Sequence, residues 1–439
     1  MPPSLSAPIT LPCGAILPNR LAKAATSEGL ADTDNHSTPR LDTLYRRWSG
    51  SGVGLLFTGN IQVDRFHLER PGNIVVDDES GRAPLARLAA AGRETGTQFW
   101  AQLSHTGRQV SNHINPAPLS SSDVEIDAIR GTGLTFGVPA PMSENQIRCV
   151  THQFGFAAAE VKRAGFTGVI VHAAHGYLIS QFLSPRTNHR TDRWGGSLQN
   201  RSRLLIEIIA SIRDAVGPRY PIGIKLNASD FQKGGFSHAE CVKLVRLLNG
   251  SGLDLLELSG GSLEQPKVVG ATVKDEGEDG PRAGTIAREA YFVEFAGAIR
   301  QDANMPLMVT GGFRSADAMS DALQSGDLDV IGVARPVIAV PESPRQLLSG
   351  AIDRLPAPEA GLDLLNILPW NNIQIERLAD GLDPDLDLAG AEAAQLFTDI
   401  EHRYMNALLS HRMRTGQIPA SAISGDSAVV ACIGRGVTF

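Results

Sequence analysis

The chain has 439 residues, a formal net charge of −7 and a pI near 5.9. A net negative charge argues against nucleic acid or an anionic membrane as the main partner. The first residues, MPPSLSAPITLP, lack the basic start and apolar run of a secretory signal, and no window approaches the roughly 18 apolar residues of a membrane span. The four cysteines (Cys13, Cys149, Cys241 and Cys432) are scattered without metal or redox spacing. This predicts no metal centre and a reducing, cytoplasmic location.

The first elements in chain order are two short strands within residues 9–18, which predict a hairpin before the main fold. Apolar, β-rich runs follow at eight places: Leu21–Thr26, Gly54–Asn60, Gln98–His105, Gly168–Ala174, Pro221–Ala228, Leu253–Gly261, Pro306–Gly312 and Asp329–Arg335. Most of the intervals carry an amphipathic helical pattern, as in Ala83–Thr95, Ser143–Ala164, Leu198–Val216, His238–Gly250, Ile286–Asp302 and Ser315–Gly326.

Strands that alternate with helices and are too apolar to have a wet face predict a parallel sheet covered by helices. Eight such units favour an α/β fold closed into a (β/α)₈ barrel over residues 1–350. The structural alternative is an open, doubly wound sheet, which the lack of a GxGxxG motif after the first strand disfavours.

Residues 351–439 are expected to form a C-terminal extension with a different composition. Within it, Ala393–His411 places Leu396, Ile400, Tyr404 and Leu408 on one helical face, which predicts packing on the barrel or on a second subunit. The Gly/Ser/Ala-rich tail 413–439 is expected to be partly disordered.

Two long connections, 106–142 and 262–285, follow the third and sixth predicted strands. Both lie on the C-terminal side of their strands, where barrel enzymes keep their active sites. Loops of this length in compact domains are lids, binding loops or disordered segments.

The fourth predicted strand ends in a loop that carries His172, His175 and Tyr177. The Ala-Ala-His-Gly sequence breaks the strand, so both imidazoles can turn towards one point. Two imidazoles and a phenol suit holding a carbonyl oxygen and delivering a proton. A metal pair or two ordinary loop histidines are the alternatives.

The seventh and eighth predicted strands end in Gly311-Gly312 and in Arg335. Barrels often bind a phosphate at these two loops, where glycines let backbone N–H groups approach the anion and arginine offers a charged fork. The alternative to a phosphate site is a tight glycine turn beside an unrelated surface arginine.

Lys225, in an apolar strand, must be paired or functional, because burying its charge alone is costly. Gln102 either has its amide hydrogen bonds made within the barrel or binds a ring that carries both hydrogen-bond donors and acceptors.

The sequence HAAHGYLISQFLSPRTNHRTDRWGGSLQNRSR closely resembles the central signature of the Old Yellow Enzyme family, the FMN-dependent ene-reductases and their relatives. The resemblance extends in weaker form from about Leu11 to about Leu348. It implies non-covalent FMN reduced by free NAD(P)H, since the cysteine pattern and second nucleotide-binding motif of larger relatives do not occur in the sequence.

The resemblance also assigns cofactor-binding residues. It places Gly312, Phe313, Ala334 and Arg335, beside Gly311, at the FMN phosphate, and Lys225 at the pyrimidine edge of the flavin. Around the ring it places Ala24, Ala25, Thr26, Ser27, Asn60 and Gln102. Ser27 stands where many relatives have Cys or Thr near flavin O4, with Thr26 as the alternative. Gly29 stands where some relatives have a substrate-binding tyrosine, so their substrate specificity does not transfer.

The activity implied by the resemblance is reduction of activated C=C bonds in α,β-unsaturated carbonyl compounds, with ping-pong kinetics. His172 and His175 would bind the carbonyl oxygen, flavin N5 would give the hydride, and Tyr177 would give the proton. Alternatives are a flavin dehydrogenase or demethylase that oxidises an amine or saturated substrate, a flavin-free phosphate-binding aldolase or isomerase with Lys225 as Schiff-base lysine, and a non-catalytic flavin-binding protein. A homo-oligomer is compatible with the sequence.

Overall fold

The computed structural model describes residues 4–126, 135–261, 264 and 293–417. Its centre is a closed barrel of eight parallel strands, in which the last strand pairs with the first. In chain order these strands are β3 (Leu21–Lys23), β4 (Leu55–Gln62), β6 (Gln98–Ser104), β9 (Gly168–Ala173), β10 (Ile222–Asn227), β11 (Leu255–Ser259), β12 (Leu307–Thr310) and β13 (Val330–Val333). All eight predicted strands are present, and the predicted (β/α)₈ barrel is confirmed.

Shorter strands lie outside the barrel. β1 (Ile9–Thr10) and β2 (Ile16–Leu17) form the predicted antiparallel hairpin. β5 (Ile74–Val75) extends the sheet beside β4, and β7 (Leu119–Ser120) pairs with β8 (Ala140–Pro141) inside the first long connection. The second long connection, 262–285, lies outside the described residues except for residue 264.

Helices cover the barrel from outside. They are α1 (Pro39–Ser49), α2 (Arg82–Gly92), α3 (Glu144–Ala164), α4 (Leu178–Leu183), α5 (Leu198–Arg201), α6 (Arg203–Val216), α7 (His238–Leu248), α8 (Val293–Arg300), α9 (Ala316–Gln324), α10 (Arg335–Ala339) and α11 (Ser343–Leu348). Ser143 and Ser237 each form a capping box with the Gln or Glu three residues later, which fixes where α3 and α7 begin. The start of the predicted helix 286–302 falls outside the described residues. None of the described helices is both long and apolar enough to cross a bilayer.

The barrel interior is apolar at its N-terminal end. Leu55, Phe57, Trp100 and Ile170 form a buried cluster there, and Leu11 and Leu17 of the hairpin join it and close that end. The remaining interior positions, towards the C-terminal ends of the strands, carry polar side chains. The apolar end therefore serves as a rigid floor, and the polar end as the place for chemistry.

The C-terminal extension continues with a 3₁₀ helix (Pro358–Gly361), α12 (Leu364–Ala379) and α13 (Gly390–Thr415). Arg40 of α1 bonds Glu376 of α12, Asp380 directly after that helix, and the Tyr404 hydroxyl of α13. The expected apolar face of α13 is only partly buried, because Leu396 is 41% exposed while Leu408 is 2% exposed. Residues 418–439, which make up most of the tail expected to be disordered, lie outside the described residues.

Gly168 provides a test of the interior packing. A Cβ atom at this position would lie 2.6 Å from the Trp100 ring, so Gly168→Ala should overpack the floor and cost about 1–3 kcal/mol. The midpoint of urea unfolding should fall. The matched variant Gly361→Ala, whose Cβ would meet nothing within 4 Å, should leave the midpoint unchanged. Equal midpoints for both variants would contradict this packing.

Candidate active site

Strand register brings a set of polar side chains together at the C-terminal end of the barrel. Gln102 lies beside Asn60, and Lys225 lies between His172 and Glu257. Because neighbouring parallel strands end at the same rim, these side chains line one mouth. Each of the five side chains is buried.

The structure brings the two predicted histidines together. Their ring centroids are 5.0 Å apart, with the ring planes at 75°. His175 adopts a left-handed backbone conformation with φ +60°, uncommon for a residue other than glycine. Its N–H donates to Asn227 Oδ1 at 3.2 Å, and its Nε2 lies 2.7 Å from Ser259 Oγ. These contacts hold the strained turn that brings His175 back beside His172.

Both imidazoles are neutral at ordinary pH. Burial, then the proximity of His175 and Lys225, keeps the pKa of His172 well below its usual value. Burial, with a further effect of Lys225, lowers the pKa of His175 to about 3. The Ala174 N–H donates to Nδ1 of His172 at 3.3 Å, so Nε2 of the neutral ring carries the proton and is a donor.

Tyr177 completes the group. Its ring centroid lies 4.7 Å from that of His172, with the two ring planes at 83°. Burial, then the nearby Glu69 carboxylate, raises the pKa of Tyr177 well above its usual value. The phenol therefore keeps its proton at neutral pH.

Gln102 and Asn60 form a directional hydrogen-bond chain. Gln102 Nε2 donates to Asn60 Oδ1 at 2.8 Å, and Asn60 Nδ2 donates to Glu69 Oε2 at 2.7 Å. The buried Gln102 Oε1 has no partner among the described residues. A buried acceptor of this kind fits an N–H group of a bound ring.

The hydroxyl groups of Thr26 and Ser27, which follow β3, lie in two different environments. Ser27 Oγ donates to Glu69 and lies 3.5 Å from Asn60 Nδ2, so it shares their side of the mouth. Thr26 Oγ1 instead accepts a 2.6 Å hydrogen bond from the fully buried Lys23. Of the two alternatives, Ser27 is the residue beside Asn60. Ala24 and Ala25 precede them, and Ala24 is held by its N–H bond to Val333 O at 2.8 Å.

Lys225 has the carboxylate partner that its burial requires. Its Nζ lies 3.1 Å from Glu257 Oε1, and Thr310 Oγ1 donates to the same oxygen at 2.6 Å. The structural alternative for Lys225, a salt bridge, is thus present. It fixes the ammonium group at the mouth and leaves its remaining donors for a ligand.

The predicted phosphate residues also lie together. Gly311 and Gly312 have φ values of +115° and +87°, which favour glycine, and Phe313 beside them is buried. Ala334 precedes Arg335, whose Nε lies 3.5 Å from Glu359 Oε1 of the extension. This ion pair links Arg335 to the C-terminal extension.

Asp64, His67 and His105 form a second cluster, which can be read as a metal-ligand set. The His67 and His105 rings stack on each other, with their centroids 4.1 Å apart and their planes at 30°. His67 Nδ1 lies 3.1 Å from Asp64 Oδ2, and its Nε2 accepts from a backbone N–H at 2.9 Å. We interpret the cluster as structural.

Comparison with known proteins identifies the family to which this chain belongs. A family model described as the NADH:flavin oxidoreductase / NADH oxidase family matches residues 4–353. The chain belongs to this family. The match confirms the predicted relationship to the Old Yellow Enzyme family, and with it an NAD(P)H-dependent flavin oxidoreductase that carries non-covalent FMN. The unpartnered Gln102 oxygen and the positive-φ glycine turn at Gly311-Gly312 fit such a cofactor.

Individual relatives differ in how much of their length is shared. The NADH-dependent flavin oxidoreductase nadA of Aspergillus parasiticus is 35% identical, over 94% of this chain and 93% of that protein. The NADH-dependent flavin oxidoreductase iliE of Neonectria sp. is 36% identical over 77% of this chain, but this chain spans only 46% of it. The solved Old Yellow Enzyme homologue of Zymomonas mobilis shares the fold, with a TM-score of 0.68 at 23% identity over 81% of this chain and 96% of that one.

Several residues at the mouth were not predicted from the sequence. They are Glu69, Asn227, Glu257, Ser259 and Thr310. Glu257, Ser259 and Thr310 lie on inward-facing strand positions, so alternation along β11 and β12 could have identified them. Glu69 lies in the loop after β4, where no motif marks it.

The lowered pKa of His175 gives a prediction about stability. The unfolded chain binds a proton at this residue near pH 6.5, whereas the folded protein does so only near pH 3. The free energy of unfolding should therefore fall as the pH drops from 6.5 towards 3, by up to about 1.4 kcal/mol per pH unit from this residue. In His175→Asn, which tolerates the left-handed backbone, that contribution disappears and the pH slope becomes shallower. Denaturant unfolding at pH 7.5 to 5 measures both slopes, and identical slopes would contradict a lowered pKa of His175 in the folded protein.

Proposed function

We propose that this enzyme reduces the activated C=C bond of small α,β-unsaturated carbonyl compounds at the expense of NAD(P)H. The observation that carries the proposal is the grouping of two neutral imidazoles with a protonated phenol. The rings of His175 and Tyr177 lie 5.0 and 4.7 Å from the ring of His172. Such a group holds a carbonyl oxygen at one point and has a proton to give beside it.

The histidine pair polarises the substrate. His172 donates from Nε2, because its Nδ1 accepts the Ala174 N–H. His175, held by Ser259, lies alongside the same point. Neutral donors suit an enone, since they bind the carbonyl oxygen more strongly as negative charge develops on it. Lys225 adds positive charge at this side of the mouth.

The cofactor would be held on two sides. Gly311, Gly312, Phe313, Ala334 and Arg335 would hold the FMN phosphate, and Ala24, Ala25, Thr26, Ser27, Asn60, Gln102 and Lys225 would surround the ring. Bound FMN supplies the hydride for the substrate β-carbon. NAD(P)H and enone would use the same face in turn, which gives ping-pong kinetics.

The proton would come from Tyr177. Its O–H bond breaks as the C–H bond forms at the substrate α-carbon, and the tyrosine then recovers a proton from water. The raised pKa keeps the phenol protonated until the developing enolate is basic enough to take the proton. A positioned general acid is worth roughly 10²- to 10⁴-fold, so Tyr177→Phe would be slow but not inactive.

Turnover of NAD(P)H with cyclohexenone or maleimide tests the function directly. We expect consumption of NAD(P)H matched by formation of the saturated ketone or succinimide. An enzyme that instead oxidises amines or saturated substrates would leave both compounds unchanged, and that result would refute the proposal.

The histidine pair has its own test. In His172→Ala/His175→Ala, phenol binding should weaken on the order of 30-fold, as expected for two lost hydrogen bonds of about 1 kcal/mol each, while FMN stays bound. The long-wavelength absorbance of the phenol–flavin complex measures this. His402→Ala, at an exposed position on α13, is the control. Unchanged phenol affinity in the double variant would refute the assignment.

Arg335 tests the phosphate site. Losing one charge-assisted contact of about 1.5–3 kcal/mol should weaken FMN binding in Arg335→Ala on the order of 10- to 100-fold. The flavin retained after dialysis reports this directly. Arg345→Ala, which removes an arginine that contacts the Gly50 carbonyl, should retain FMN. Equal retention in both variants would count against a phosphate role for Arg335.

A further inference from the structure

The turn that carries His175 and Tyr177 is bound by a buried glutamine of α4. Gln181 Nε2 donates to the Gly176 carbonyl at 2.7 Å. The Gln181 N–H donates to the Tyr177 carbonyl at 2.8 Å. One residue therefore binds two successive carbonyls of this segment, which we call the active-site turn (residues 174–177).

The Gln181 amide makes every hydrogen bond that an amide can make. Its Nε2 also donates to the Thr106 carbonyl, at 3.0 Å. Its Oε1 accepts from the Arg108 N–H at 3.2 Å and from the Ser120 hydroxyl at 2.9 Å. Since an amide has two hydrogens to donate and one oxygen with two lone pairs, this orientation suits all four partners. A glutamate at the same position would place an oxygen against two carbonyl oxygens.

A second buried glutamine binds another carbonyl of the active-site turn. Gln109 Nε2 donates to the His175 carbonyl at 2.9 Å, and the Tyr177 N–H donates to the Ala174 carbonyl at 3.3 Å. Together with the two bonds from Gln181, each of the four carbonyls of the turn accepts a hydrogen bond. The left-handed backbone of His175 needs such support, because a strained conformation persists only where its surroundings hold it.

Gln181 also ties the active-site turn to the first long connection, 106–142. Ser120, whose hydroxyl donates to the amide, lies in β7 of that connection, and Ser121 Oγ donates to the Gln181 carbonyl at 3.2 Å. A Cβ atom added at Gly107 would collide with the Gln181 amide, so the connection packs closely against it. The position of the turn is therefore set by the connection as well as by β9.

We propose that Gln181 and Gln109 are positioning residues for the catalytic groups: their amides hold the active-site turn in one conformation. In that conformation the rings of His175 and Tyr177 lie against the ring of His172. This inference rests on the proposed enone reduction. Both glutamines act through backbone carbonyls of the turn, and neither gains or loses a proton. They affect the rate because a small misplacement of reacting groups is costly.

The test compares Gln181→Glu with Gln374→Glu. Gln374 is a buried glutamine of α12 whose amide also bonds the backbone, donating to Asp385 O at 2.9 Å and accepting from Asp385 N at 2.6 Å. In Gln181→Glu, kcat for reduction of cyclohexenone should fall about 10- to 100-fold, while FMN stays bound. Phenol binding should weaken about 3- to 10-fold, because the His175 imidazole is displaced but not removed. Gln374→Glu should leave kcat and phenol binding unchanged.

A further readout needs neither turnover nor phenol. The chain has five tyrosines, so 3-fluorotyrosine labelling gives a fluorine NMR spectrum in which Tyr177→Phe identifies the Tyr177 signal. That signal should move in Gln181→Glu and stay in place in Gln374→Glu.

Gln109→Met tests the other half of the inference. Methionine keeps the length of the side chain and removes the donor to the His175 carbonyl. Phenol binding should weaken in this variant as well, again about 3- to 10-fold. If Gln181→Glu does not fold, unchanged phenol affinity in Gln109→Met overturns the inference.

The outcomes separate this inference from the proposed function. If the unmodified enzyme reduces no enone, the proposed function fails, while the fluorine spectrum still decides whether Gln181 positions the active-site turn. If it reduces the enone and Gln181→Glu keeps its kcat, its phenol affinity and its Tyr177 signal, the positioning role is overturned. Equal losses in Gln181→Glu and Gln374→Glu would reflect a general loss of stability and would also overturn it.

Discussion

The burial of polar side chains at the barrel mouth is the constraint on which the site depends. Burial is the largest cause of the lowered pKa values of His172 and His175 and of the raised pKa of Tyr177. Burial also makes every unpaired polar group costly, so the mouth is organised by hydrogen bonds. The Lys225–Glu257 ion pair and the Gln102–Asn60–Glu69 chain are two parts of that organisation.

The two ends of the barrel have different roles. The apolar cluster around Trp100 at the N-terminal end supplies rigidity, and the polar side chains at the C-terminal end are suited to chemistry. The C-terminal extension belongs to the same arrangement, since Arg412 of α13 bonds the Arg65 carbonyl while Glu401 bonds Arg70. Residues on both sides of Glu69 in its loop are therefore bound to α13.

Much of the architecture could be predicted because it follows from local patterns. Runs of apolar residues gave all eight barrel strands, and the break at Ala174-His175 correctly indicated that the second imidazole turns back. Helix α1 was not among the helices named as examples from the sequence, although it packs its Tyr45 and Trp48 inward. Glu69 could not be predicted, because its importance comes from loop geometry and from partners that are distant in sequence. The pairing of Lys225 with Glu257 required the register of two strands, which periodicity alone does not supply.

The visible spectrum of the purified protein, recorded without oxygen before and after addition of NAD(P)H, tests the central claim most directly. Our account predicts flavin absorbance in the resting protein, bleaching by NAD(P)H, and return of the absorbance when cyclohexenone is added. A flavin that is bleached by NAD(P)H but is not reoxidised by the enone would contradict the account, because His172, His175 and Tyr177 would then not perform the reduction that we assign to them.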